Sequence, residues 1–216
     1  MQPSTIQMLV AARRVADYAM EMGAAINRET VRASYDHMGA VLADSVLQAG
    51  LNYRSVVLPR VAAILDRFPN HDCTSKLVEL IEGGETSSFL NWQHPEKIGR
   101  FEALVRFLSR QSVENVVVLK HRLQDGSFIL PLREVRGIGP KTVDYMQCLV
   151  GIDSIAVDRH VRTFAKRVGV IEDDYDFLRS VFCNAADLLS VSRRDFDAWV
   201  WRRESTLSTK QLGFAF

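Results

Sequence analysis

Cysteine is scarce in this chain: Cys73, Cys148 and Cys183 are all it has, they lie far apart, and no Cys-x-x-Cys pair occurs. That pattern offers neither a disulfide framework nor the ligand spacing of a zinc or iron–sulfur site, and it reads as three reduced, partly buried thiols. Long apolar runs are missing too. None approaches the roughly 18 residues needed to cross a bilayer, so no membrane partner is expected. The opening stretch MQPSTIQMLVAARRVADYAM lacks a basic start, an apolar run and a small-residue cleavage site. No export signal is read there, and a cytoplasmic location is expected. Alternating strand patterns are scarce. Internal repeats, low-complexity segments and long linkers are absent, so any two lobes must pack closely. Nor is there a large charge of one sign: 27 basic and 26 acidic residues leave a formal net charge of +1.

What is present is the composition of an ordinary globule. Of the 216 residues, 47% are apolar and 25% charged, which makes wholesale disorder a poor reading and allows one large domain or two small lobes with a real core. The near-neutral total conceals an asymmetry. Residues 97–167 hold 13 Lys or Arg against 7 Asp or Glu, whereas the rest of the chain holds 14 against 19. A basic middle can attract phosphate even on a neutral protein; it is equally the pattern of a solvated face with no partner.

Apolar residues recur at three- and four-residue steps nearly throughout, which predicts helices. One is expected over about 4–22. A second is expected from about Glu29, with Val31, Tyr35, Met38, Leu42 and Val46 on one face, to a stop near Gly50. A third is expected from Tyr53 to Phe68. A fourth, capped by Thr74 or Ser75, should end at Gly83 and Gly84. Another follows Pro95 to about Ser112, and residues 116–119 are ambiguous between helix and strand. Late helices are expected after an Asp173 or Asp174 cap and after a Ser192 cap. Phe177, Phe182, Leu189, Phe196 and Trp199 are the candidate core there, and the tail from about Ser205 is expected to be poorly ordered unless docked.

The sharpest local signal is VRGIGPKTV, residues 135–143. An apolar helix end, Leu132 and Val135, meets Gly137, Ile138 and Gly139, and Pro140 then opens a new helix. The glycines permit positive φ and close backbone approach. Ile138 can anchor the turn in the core. Proline suits the first helical position, where its missing N–H costs nothing. Amides at such a helix start can take a phosphate oxygen, which makes Gly137, Ile138, Gly139, Lys141 and Thr142 candidate DNA-binding residues. The plain alternative is a helix–turn–helix connection whose glycines only end one helix and begin another.

Lys141 falls at the second position of the new helix, near the positive end of its dipole, and burial there would make the amine nucleophilic. The alternative is a charged lysine touching phosphate. Asp158, in IAVDRHVRTFAKRVG, is expected to cap the next helix, and on that reading alone has no catalytic part. Together, a lysine and a carboxylate at the starts of successive helices could stabilise charge developing on a sugar and accept a proton from an attacking amine.

The stretch LREVRGIGPKTVDYMQCLVGIDSIAVDRHVRTFAKRVG, residues 132–169, resembles the signature of the helix-hairpin-helix DNA glycosylases. It is most similar to their endonuclease III branch. The resemblance implies that Lys141 attacks the sugar C1′, displaces a damaged base, forms a Schiff base and cleaves the strand, with Asp158 assisting. Upstream, VLADSVLQAGLNYRSVVLPRV resembles the segment where that family places a glutamine that fills the gap left by a flipped base, and Gln48 matches it; a polar residue ending a helix before Gly50 is the alternative. The resemblance also implies a structural monovalent cation held by the carbonyls of Arg133, Val135 and Ile138. The chain departs from many endonuclease III relatives in one respect: DFDAWVWRRESTLSTKQLGFAF has no cysteine where they carry a four-cysteine loop. No iron–sulfur cluster is expected, and no cofactor is required.

These readings give an all-α fold with two helical lobes around a positively charged cleft. Residues 30–150 form a helical barrel holding the hairpin, and 1–29 with 151–216 form the second lobe. The expected function is base-excision DNA repair: a monomeric, nucleoid-associated DNA N-glycosylase with lyase activity on abasic sites, acting on double-stranded DNA with a damaged base or an abasic site. A non-catalytic helix-hairpin-helix DNA-binding protein and a monofunctional glycosylase stay open beside it.

Overall fold

In a computed structural model of the chain, residues 4–24 and 34–212 are described, and all regular structure among them is helical. The order is α1 (Thr5–Glu21), α2 (Met38–Leu47), a π-helical turn (Tyr53–Val57), α3 (Leu58–Arg67), α4 (Thr74–Glu82), α5 (Thr86–Leu90), α6 (Pro95–Arg110), α7 (Val116–Arg122), α8 (Gly126–Arg133), α9 (Pro140–Leu149), α10 (Arg159–Arg167), α11 (Tyr175–Leu188) and α12 (Arg193–Leu212). None of the described helices is long and apolar enough to cross a membrane. The chain divides into two compact units, Met1–Arg32 with Asp153–Phe216 and Ala33–Ile152.

The first unit is built on α1, α10, α11 and α12. Ser4 and Gln7 form a reciprocal capping box that satisfies the first amides of α1. Ala11, Ala12, Ala16 and Ala19 are buried on that helix, and side chains this small let it lie close against α11 and its buried Ala185 and Ala186. Phe164 is the aromatic centre: it meets Tyr18, Phe182 and Trp199 edge-on at centroid distances of 5.4, 5.9 and 5.9 Å. Of the late core expected from sequence, Phe182, Leu189, Phe196 and Trp199 are buried, whereas Phe177 is only half-buried. Asp174 caps α11, and the Ser192 hydroxyl accepts from the Asp195 amide at the start of α12. That last helix runs on to Leu212, past the point where an unstructured tail was expected.

The second unit is organised by α2. All ten of its residues are buried, so no amphipathic stripe is needed; α3, α6 and α9 pack around it. The helix begins at Met38, not near Glu29. Tyr35 lies before the helix and donates its N–H to the Leu149 carbonyl, and the His37 imidazole caps the Ala40 amide. The expected positions Glu29 and Val31 lie outside the described residues. The stop holds: Gln48 ends the helix and Gly50 takes φ +80°. The fourth expected helix starts one residue earlier than its proposed caps. Cys73 is the N-cap residue, and Thr74 instead donates its hydroxyl to the Val113 carbonyl. Residues 116–119 are helical, with Asn115 capping the Val118 amide.

Candidate functional site

The connection from α8 to α9 is a tight turn. Leu132 is the last buried apolar residue of α8, and Val135 lies beyond the helix end. The Ile138 amide donates to the Val135 carbonyl at 2.9 Å, and the Ile138 side chain is buried, which anchors the turn. The two glycines differ in role. Gly137 has φ +82°, a conformation that a Cβ disfavours, and the Arg100 guanidinium lies where that Cβ would be. Gly139 is extended at φ −91° and ψ −178°, so a positive φ is not its reason. A Cβ there would meet nothing within 4 Å, so the approach to the start of α9 is open. Gly139 is the N-cap residue without a side-chain cap, and Pro140 takes the first position.

Lys141 is half-buried, and its Nζ donates to Oε1 of Gln48 at 2.7 Å. Two residues singled out separately in the sequence therefore meet, 93 positions apart. A second rung lies one helical turn away: the Tyr145 hydroxyl donates to Oδ1 of Asp44 at 2.8 Å. Asp44 and Gln48 are four apart on the α2 side, and Lys141 and Tyr145 four apart on α9, so the two pairs run antiparallel in register.

Asp44 is completely buried and is a hub that sequence reading missed. Besides Tyr145, it accepts from the Tyr35 and Tyr53 hydroxyls, at 3.1 and 3.3 Å. Burial, together with the neighbouring carboxylate and the Tyr53 hydroxyl, pushes the Tyr35 hydroxyl well above the usual phenol range. No local motif announces this cluster. The only hint is a carboxylate within a helix that is apolar apart from Ser45, an expensive residue to bury without donors.

Lys97 was also missed. From α6 its Nζ donates to the carbonyls of Val46 and Ala49, at 2.7 and 2.6 Å. These carbonyls flank Gln48 and belong to the helix end, where intrahelical donors run out. Burial pushes the Lys97 amine down to about 8; the positive charges of Arg100 and Lys141 act in the same direction, and Glu96 opposes them. Lys97 thus fixes the backbone on both sides of the residue that holds Lys141.

Asp158 belongs to the other unit and caps α10 there. Its Oδ1 accepts from the amides of His160 and Val161, at 2.8 and 3.0 Å, and neither bond uses Oδ2. Thr142 is buried, and its amide donates to the Gly139 carbonyl. Of the carbonyls considered for a cation, that of Arg133 lies at the end of α8, and that of Val135 already accepts from Ile138. Backbone oxygens of this kind suit a hard cation. Among the described residues there is no group of three or more His, Cys, Asp or Glu side chains that could hold a metal ion. Comparison with protein-family models, with curated proteins and with solved structures finds no match to the chain.

Proposed function

We propose that the chain is a DNA glycosylase with lyase activity on abasic sites, Lys141 being the nucleophile and Asp158 the assisting carboxylate. The observation that carries this reading is the placement of the Lys141 amine. It stands on the first turn of α9, behind a glycine turn with open access, and is held by a glutamine whose backbone is itself clamped. The resemblance of residues 132–169 to helix-hairpin-helix glycosylases supplies the chemistry. The turn meets the backbone of duplex DNA at the positive, N-terminal end of α9, and the target nucleotide is turned out of the stack. The Lys141 amine, as the free base, adds to C1′ as the C1′–N bond to the base breaks, and the departing base takes up a proton. The amine's own proton passes to a carboxylate, the part given to Asp158, which also stabilises positive charge on the sugar. Opening of the sugar ring, with O4′ taking up a proton, gives a Schiff base; loss of a C2′ proton then expels the 3′ phosphate and cuts the strand.

Gln48 has a part in the free protein beside the gap-filling one implied by resemblance. Its Oε1 accepts from the amine and so orients it for attack in the free protein; filling the gap in the duplex would require that bond to break on DNA binding. A non-catalytic DNA-binding module is the competing reading, and the use of Asp158 as a full helix cap favours it. A borohydride trapping screen over duplexes bearing different lesions and an abasic site decides between them. A covalent protein–DNA adduct on at least one duplex is expected; binding without adduct on every duplex favours the module.

A further inference from the structure

Three arginines of the second unit surround a hollow of about 400 Å³ beside the glycine turn. Arg106 and Arg110 come from α6, and Arg136 immediately precedes Gly137. Phe107 and Val135 are apolar residues of its lining, and Glu134 is the carboxylate in it. All three arginines are exposed, and none of their guanidinium groups makes a hydrogen bond, ion pair or ring contact within the described residues. Four arginines elsewhere are neutralised by a carboxylate: Arg13 by Asp17, Arg162 by Asp173, Arg167 by Glu204 and Arg193 by Asp187. Arg106 and Arg110 are one helical turn apart, a like-charge spacing that weakens a helix slightly unless an anion lies between or across them.

From this juxtaposition we infer that the hollow is a second contact for the phosphate backbone of duplex DNA, continuous with the turn. The inference rests on the DNA-binding reading above and extends it along α6. Guanidinium forks suit phosphate oxygens, and three unneutralised cations around one concavity are complementary to a polyanion. The hollow reads backbone, not sequence, and so lends affinity equally to damaged and undamaged duplex. It also accounts for part of the basic excess in residues 97–167.

The test is fluorescence anisotropy of the full chain on two short labelled duplexes, one undamaged and one carrying a stable abasic-site analogue, from about 50 to about 200 mM salt. The triple variant Arg106→Gln, Arg110→Gln, Arg136→Gln is compared with wild type and with Arg13→Gln, Arg14→Gln, Arg193→Gln, which removes as many positive charges elsewhere. Each phosphate that the protein no longer neutralises should lower the slope of log affinity against log salt by about 0.9, so a fall of roughly 2 to 3 is expected, equal on both duplexes. The control variant should keep the wild-type slope. An unchanged slope in the hollow variant, or an equal fall in the control, overturns the inference while leaving the DNA reading intact. Wild-type protein that binds neither duplex at the lowest salt removes the DNA reading and this inference together.

Discussion

Replacing Asp44 by alanine removes the single acceptor on which three tyrosine hydroxyls converge. A hydrogen bond to a charged group contributes about 1.5–3 kcal/mol, and a buried donor left without a partner costs about 1–3 kcal/mol. The three bonds share one carboxylate and cannot simply be added. Only Tyr145 among the donors is buried; Tyr35 and Tyr53 are half-buried and can recover some solvation. A loss of about 3–5 kcal/mol follows, the scale of a broken buried polar network, against a total stability of about 5–15 kcal/mol. Hydrogen exchange of the α2 amides reads this unit directly. At about 1.4 kcal/mol per factor of ten, exchange should quicken a hundredfold to several thousandfold. Asp44→Asn keeps one acceptor and should lose about half as much. Because the Asp44–Tyr145 and Gln48–Lys141 pairs lie one turn apart, Asp44→Asn should also slow adduct formation by Lys141. Exchange in Asp44→Ala within a factor of five of wild type would refute the reasoning, since the desolvation of the carboxylate would then cancel what its donors contribute.

Lys97→Met strands the carbonyls of Val46 and Ala49 and should cost about 1–3 kcal/mol by urea denaturation. The sign of its pH dependence is fixed by an amine lowered to about 8 on folding: the unfolded chain binds more protons between pH 8 and the ordinary lysine range, so wild type should gain stability relative to Lys97→Met as pH rises through that window, and a flat difference would contradict the assignment. Gly137→Ala should lose about 1–2 kcal/mol in thermal melts, because φ is +82° and Arg100 must move. Gly139→Ala should leave stability within about 1 kcal/mol yet weaken binding to undamaged duplex in a filter assay, since its Cβ would obstruct only an approaching ligand. Asp158→Ala should cost about 1 kcal/mol through the lost cap, whereas Asp158→Asn should melt near wild type and still trap poorly; full trapping by the asparagine variant would reduce Asp158 to a cap.

Helices with a strong apolar period and a clear stop were legible in the sequence: α1, α6 and α9 lie where pattern and cap chemistry put them. The error at α2 has a physical cause. Tyr35 fits the helical period but spends its amide on Leu149 and its hydroxyl on Asp44, both tertiary partners. The five-residue α5 is too short to generate a period at all, and the π-helical turn at Tyr53–Val57 was absorbed into one longer expected helix. At the candidate site, Lys141, Gln48 and the glycine turn were nameable because a local string carries them. Their mutual geometry was not, because it depends on α2 and α9 lying side by side. Asp44 and Lys97 were invisible for a similar reason: Lys97 acts through carbonyls 48 and 51 residues away, and Asp44 joins Tyr145, 101 residues on, to Tyr35 and Tyr53, whose nine-residue spacing from it matches no helical or strand period.

In the proposed reaction the Lys141 amine forms a bond to a DNA sugar. The direct measurement is borohydride reduction of the full chain with a duplex carrying an abasic site, followed by proteolysis and mass spectrometry to locate the nucleotide remnant. The expected result is a remnant on Lys141, lost in Lys141→Gln while binding to undamaged duplex falls only modestly. A remnant on another amine, such as Lys97, or an adduct of undiminished yield in Lys141→Gln, would contradict it.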